Sequence, residues 1–89
     1  MKVKSGFVLE EVGNSYIAVA IGERADSFLG LVKLNSSGAF FFRIMSLRDV
    51  SVDELVDEAM KVYEGVSREQ IESDVLSLVK TLTEGGILE

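Results

Sequence analysis

The sequence predicts an α+β fold, a three-stranded antiparallel sheet followed by a three-helix bundle. Three observations carry that expectation. The first third holds two short strand-like runs, Phe7 to Val12 and the β-branched-rich Ser15 to Ile21, about a Gly13-Asn14 turn signal. From Ser37 onward the apolar spacing switches to three and four, the period of helices. The chain has no proline, so nothing interrupts those helices from within.

Taken in order, Phe7 to Val12 is the first expected strand. Gly13 and Asn14 both tolerate positive φ and suit a hairpin turn. Ser15 to Ile21 is the second strand, rich in β-branched residues, and Gly22 to Gly30 reads as a polar loop. Leu31, Val32, Lys33 and Leu34 form the third. A meander is the simplest topology and leaves strands one and three as edges. Asn35 or Ser36 is placed to cap the helix over 37–47, which is apolar nearly all round: Phe40, Phe41, Phe42, Ile44, Met45 and Leu47. Such a helix belongs between the sheet and the other helices.

The helix over 52–64 carries a capping box, with Ser51 and Glu54, and a staple between Val50 and Leu55. Val52, Leu55, Val56, Ala59, Met60 and Tyr63 make one face, and Gly65 suits a left-handed stop. The helix over 68–84 repeats the device: Ser67 caps, Gln70 completes the box, Val66 and Ile71 staple, and Gly85-Gly86 ends it. Ile87 and Leu88 are expected to fold back onto the core. One domain over 1–89 is the expectation from length.

Composition narrows the function. There is no histidine and no cysteine, so the usual base near neutral pH, thiolate chemistry and a His/Cys metal cluster are missing. No catalytic residue, cofactor or metal is expected. The start lacks the apolar core of a signal peptide and no run is long enough to span a bilayer, which points to a cytoplasmic protein without a membrane partner. Net charge is −6, which opposes binding to phosphate backbones.

Three helices after a hairpin suit a winged helix-turn-helix, so a DNA-binding regulator is one alternative. Against it, the last helix sets Arg68 and Lys80 against Glu69, Glu72, Asp74 and Glu84, a balance of −2. A recognition helix should be neutral or basic, so no nucleic-acid partner is expected. Asp26-Ser27-Phe28 faintly resembles the Asp-Ser-Leu attachment site of carrier proteins, but those place the serine at a helix start in an all-helical fold.

The edge of strand three remains. It bears one charge, Lys33, and leads straight into the apolar helix. An unpaired edge is a hazard unless it is covered or used. An extended peptide adding to it is one reading; cover by the chain's own loop, or edge-to-edge pairing of two copies, is the other. If the Val32 N–H points outward, Val32→Pro should weaken peptide binding.

Leu34-Asn35, Ser37-Gly38-Ala39 with the aromatic run, Ser51 to Val56, Tyr63, Asp74-Val75, Leu78, Leu82 and Gly86-Ile87-Leu88 together resemble the PqqD family, as do Gly6 to Leu9 and Tyr16 to Val19. That resemblance implies a peptide-recognition element of ribosomally made, modified peptides. Its partners would be the leader of a precursor peptide and a modifying enzyme, often a radical S-adenosylmethionine protein of the SPASM type. In the family the leader adds to the third strand and packs on the third long helix. Carried over, this implies a binding edge of Leu31, Val32, Lys33 and Leu34 and a helix wall of Asp74, Ser77, Leu78 and Thr81. A homodimer is left open.

Overall fold

The computed structural model describes residues 1–27 and 32–89. Its elements are β1 (Phe7–Val12), β2 (Ser15–Ala20), α1 (Arg24–Ser27), β3 (Val32–Leu34), α2 (Ser36–Leu47), α3 (Val52–Val62) and α4 (Arg68–Glu84). The strands form one antiparallel sheet in the order β1-β2-β3. The α+β class, a three-stranded antiparallel sheet followed by three long helices, is the architecture observed.

The hairpin turns on one residue. Gly13 has φ +59°, while among the described residues no non-glycine residue has positive φ, so Asn14 does not use its tolerance. Positive φ at the first loop position alone is the sign pattern of a type II′ turn, whose twist matches the flanking strands. Side chains then alternate. Phe7, Leu9, Tyr16, Ala18, Ala20, Val32 and Leu34 belong to or pack against the core. Val8, Ile17, Val19 and Lys33 fall on the opposite face.

The polar segment after β2 is not all loop. Gly22, with φ +61°, turns the chain, and the Ala25 N–H donates to its carbonyl at 3.1 Å. Arg24–Ser27 then closes a single helical turn. Arg24 anchors it: its Nε donates to the Ser5 carbonyl at 3.2 Å, and its guanidinium sits 5.5 Å from the Phe7 ring centre. Ser27 ends this turn rather than starting a helix, so it does not take the carrier-protein position. Phe28 and Leu31 lie outside the described residues.

α2 is the keystone. Asn35, not Ser36, caps it, accepting from the Gly38 N–H at 2.8 Å. Phe41, Phe42 and Met45 are buried, and the helix touches all three strands and α4. Its apolar surface is not wholly covered: Leu47 is 82% exposed, because the last turn runs past the core. The segment before β1 fills that end. The Val3 N–H donates to the Met45 carbonyl at 2.9 Å and the Lys4 N–H to the Ile87 carbonyl at 2.8 Å.

α3 starts with the reciprocal capping box that Ser51 and Glu54 predict. It stops at Val62, earlier than its apolar stripe suggests. Tyr63 is extended, with its ring edge-on to Phe40 at 5.6 Å, so the chain has left the helix before Gly65 takes φ +73°. Met60 sits at the margin of the stripe and is exposed, as is Val66, the expected staple partner of Ile71.

α4 has half of its expected box. Ser67 accepts from the Gln70 N–H at 3.1 Å, but the Gln70 amide reaches forward and donates to Asp74 at 3.0 Å. An Asp four residues on competes for the donor, as an i, i+4 pair does on any helix. The C-terminus closes as a Schellman motif. Gly86, at φ +73°, donates to Thr83 at 3.1 Å and Ile87 to Leu82 at 2.9 Å. Ile87 and Leu82 are both fully buried, so the tail does fold back.

Ser51→Ala should cost about 1 kcal/mol, lowering Tm by roughly 4–8 °C. The Ser51 N–H and hydroxyl, then Arg48, hold the Glu54 carboxyl below its usual range. A depressed carboxyl stabilises above its unfolded pKa and loses that contribution as pH falls through the folded one. Thermal melts should therefore show Glu54→Gln converging on the wild type at acid pH and lying below it near neutrality.

Candidate functional site

The sheet's hydrogen bonds decide which groups of β3 are vacant. The Ile21 N–H donates to the Gly6 carbonyl at 2.8 Å, one step beyond the Phe7–Ala20 pair. Hydrogen-bonded pairs alternate along an antiparallel ladder, so the bonded β1–β2 pairs are 6:21, 8:19, 10:17 and 12:15. The backbone groups of Tyr16, Ala18 and Ala20 must then point the other way, toward β3. Tyr16 faces Leu34 and Ala18 faces Val32 in the register. Those two pairs are bonded, and Lys33, opposite Ile17, is not. Its N–H and C=O therefore point away from the sheet. Among the described residues, no strand lies beyond them.

This corrects the expectation for Val32. Its N–H is committed to Ala18, and Lys33 supplies the outward donor and acceptor. The parity follows from the two-residue hairpin together with the register of β3 on β2, and the sequence does not fix that register.

Beside this edge lies a cleft of about 280 Å³. Lys33 and Leu34 form one side. Asp74, Ser77, Leu78 and Thr81 form the other, and Asn35, Ser37, Gly38 and Phe41 close the end. The four α4 residues fall at i, i+3, i+4 and i+7, one stripe of the helix. Val32 does not line the cleft; it is half-buried toward the core. Leu34 and Leu78 are buried at its base, while Lys33, Asp74, Ser77 and Thr81 are exposed on its rim. All the expected wall residues therefore share one cavity with Lys33 and Leu34, two of the three expected edge residues that are described.

The start of α2 was not legible as part of the site. Asn35 caps the helix and orders its first turn, accepting also from the Ser37 hydroxyl at 3.1 Å. Gly38 lets the helix approach the strand. A Cβ there would stand 3.2 Å from the Asn35 Oδ1 and 3.4 Å from the Leu34 Cβ. The usable signal was a capping residue directly after an edge strand.

The cleft is suited to holding an extended chain, with an apolar floor, hydroxyls on one wall and free backbone groups on the other. Asp74 keeps acceptor capacity after its bond from Gln70. The Thr81 hydroxyl donates to the Ser77 carbonyl at 3.1 Å, which leaves its oxygen free to accept. Among the described residues, no group of three or more potential ligands converges to hold a metal. No helix among them is long and apolar enough to cross a membrane.

The family model for coenzyme PQQ synthesis protein D (PqqD) matches residues 17–88, most of the chain. The chain belongs to the PqqD family. Two solved structures share the fold of this PqqD-family chain. One is described as TbiB1 in complex with the TbiA(beta) leader peptide, with a TM-score of 0.73, 18% identity, and coverage of 100% of this chain and 95% of that one. The other is a lasso peptide synthetase B1 complexed with the leader peptide, with a TM-score of 0.70, 20% identity, and coverage of 97% and 93%. No curated protein matches.

Proposed function

We propose that this PqqD-family chain is a non-catalytic recognition element. It captures the leader of a ribosomally made precursor peptide and presents it to a modifying enzyme. The observation that carries this is the outward N–H and C=O of Lys33 beside the cleft walled by α4. A guest strand satisfies both groups, and its alternate side chains enter the cleft over Leu34, Phe41 and Leu78. The two similar structures support the reading, since each holds a leader peptide.

In this reading residues 1–89 act as one recognition domain in the cytoplasm. Leu31 of the expected edge lies outside the described residues, and Val32 acts indirectly, by fixing β3 to β2. The enzyme served is a radical S-adenosylmethionine protein or another peptide-modifying enzyme, and the chain works as a monomer or a homodimer that leaves β3 free. The last helix carries −2, which disfavours a DNA-binding role.

The test is a titration of the 15N-labelled protein with the leader half of a short precursor peptide encoded beside the gene. Shifts should concentrate in Lys33–Gly38 and in α4 from Asp74 to Thr81, and should persist when the modified half of the peptide is removed. Shifts confined to α3 or to the β1 edge would reject the site. A duplex DNA shifted at low salt, with no response to the peptide, would favour the regulator instead.

A further inference from the structure

Among the described residues, Lys33 and Asp74 are the two charged ones lining the cleft. They differ in setting. Asp74 stands on the helix wall and is engaged by Gln70. Lys33 is exposed, and among the described residues it has no ion-pair or hydrogen-bond partner for its ammonium. Its neighbours on the outer face are apolar or neutral: Ile17 directly opposite, with Ser15 and Val19 on the diagonals. Glu10 is reached only across Ile17, one strand further on.

Strand geometry turns this into a specificity rule. A guest residue directly opposite Lys33 projects its side chain to the same face as Lys33, whether the guest runs parallel or antiparallel. Its two sequence neighbours project to the other face, into the cleft above Leu34 and Leu78. Opposed side chains sit about 4.5–5.5 Å apart at Cβ, close enough for a charge pair.

We infer that Lys33 selects leaders carrying an acidic residue flanked on both sides by apolar ones, in the register that sets the acid opposite Lys33. The inference rests on strand addition at β3, and deepens it by fixing both register and charge. The acid is placed where a carboxylate meets an unpaired ammonium. The flanking residues are placed where a charge would lose water over an apolar floor. An acid shifted by one position would instead face Asp74 across the cleft. Lys33 is thus a specificity-determining residue, additional to the backbone groups that give affinity.

The experiment is selection of displayed random 12-residue peptides on the immobilised wild type and on Lys33→Glu. The wild type should enrich an apolar-acidic-apolar triplet. Lys33→Glu should enrich a basic residue at the centre of the same triplet. A wild-type-selected peptide should bind Lys33→Glu about tenfold more weakly, and the loss should shrink in high salt. Lys33→Gln should fall between the two. Enriched peptides with alternating apolar residues but no charge preference at the centre, or the same preference on both proteins, would overturn the rule and leave strand addition standing. No enrichment on either protein would overturn both.

Discussion

Lys33→Pro keeps its fold and loses leader capture, whereas Val32→Pro loses the sheet. The two residues are neighbours, and the contrast comes wholly from ladder parity. Proline lacks an N–H, and it is tolerated on an edge strand when that N–H faces solvent. At Lys33 the lost donor faces outward, so the isolated protein should melt within a few degrees of the wild type. A bound leader would then bury a carbonyl with no partner, at about 1–3 kcal/mol, or roughly fivefold to a hundredfold and more in Kd. At Val32 the lost donor is the one given to Ala18, and Ala18 is fully buried. That variant should show a large fall in Tm with or without peptide. Circular dichroism melts and fluorescence anisotropy, run on both variants, separate the outcomes. Equal binding losses at equal stability would show that the parity is wrong.

Phe42→Ala should remove a large share of the folding stability. Phe42 is 1% exposed, at the centre of the helix that touches all three strands and α4. Truncating a buried phenylalanine costs about 3–5 kcal/mol through lost transfer energy and the cavity left behind. A domain of 89 residues holds roughly 4–13 kcal/mol in total. Phe40→Ala, half-buried against Tyr63 at 5.6 Å, should cost visibly less. Urea titrations give both values, and the Phe42 midpoint should fall furthest. A Phe42→Ala midpoint near the wild type would mean that α2 is not what joins sheet and helices.

The order of these effects matches what a reader of the sequence can and cannot see. The capping box at Ser51-Glu54 is local, set by residues three apart, and it stands as the spacing implies. The stop at Gly85-Gly86 is likewise local. Asp74, Ser77, Leu78 and Thr81 were singled out by the resemblance to the PqqD family, not by periodicity, and the structure brings them to one cleft with Lys33 and Leu34. Competition between partners was not visible. Gln70 leaves the Ser67 box for Asp74, and Tyr63 leaves α3 for Phe40, each choosing a tertiary or longer-range partner over the nearer one. Nor was parity visible, because sliding a strand end by one residue exchanges every inward and outward N–H. That is why Val32 stood in place of Lys33 as the outward donor. The contribution of Gly38 needed two elements in place at once, since its missing Cβ matters only where α2 meets Leu34.

Amide hydrogen exchange at Lys33, with and without a saturating leader peptide, tests strand addition most directly. In the free protein this N–H faces solvent and should exchange quickly, while those of Val32 and Leu34, bonded to β2, exchange slowly. With the peptide bound, the Lys33 amide should become protected to a similar degree. A saturated complex in which the Lys33 amide still exchanges at its free rate would mean that the guest does not extend the sheet.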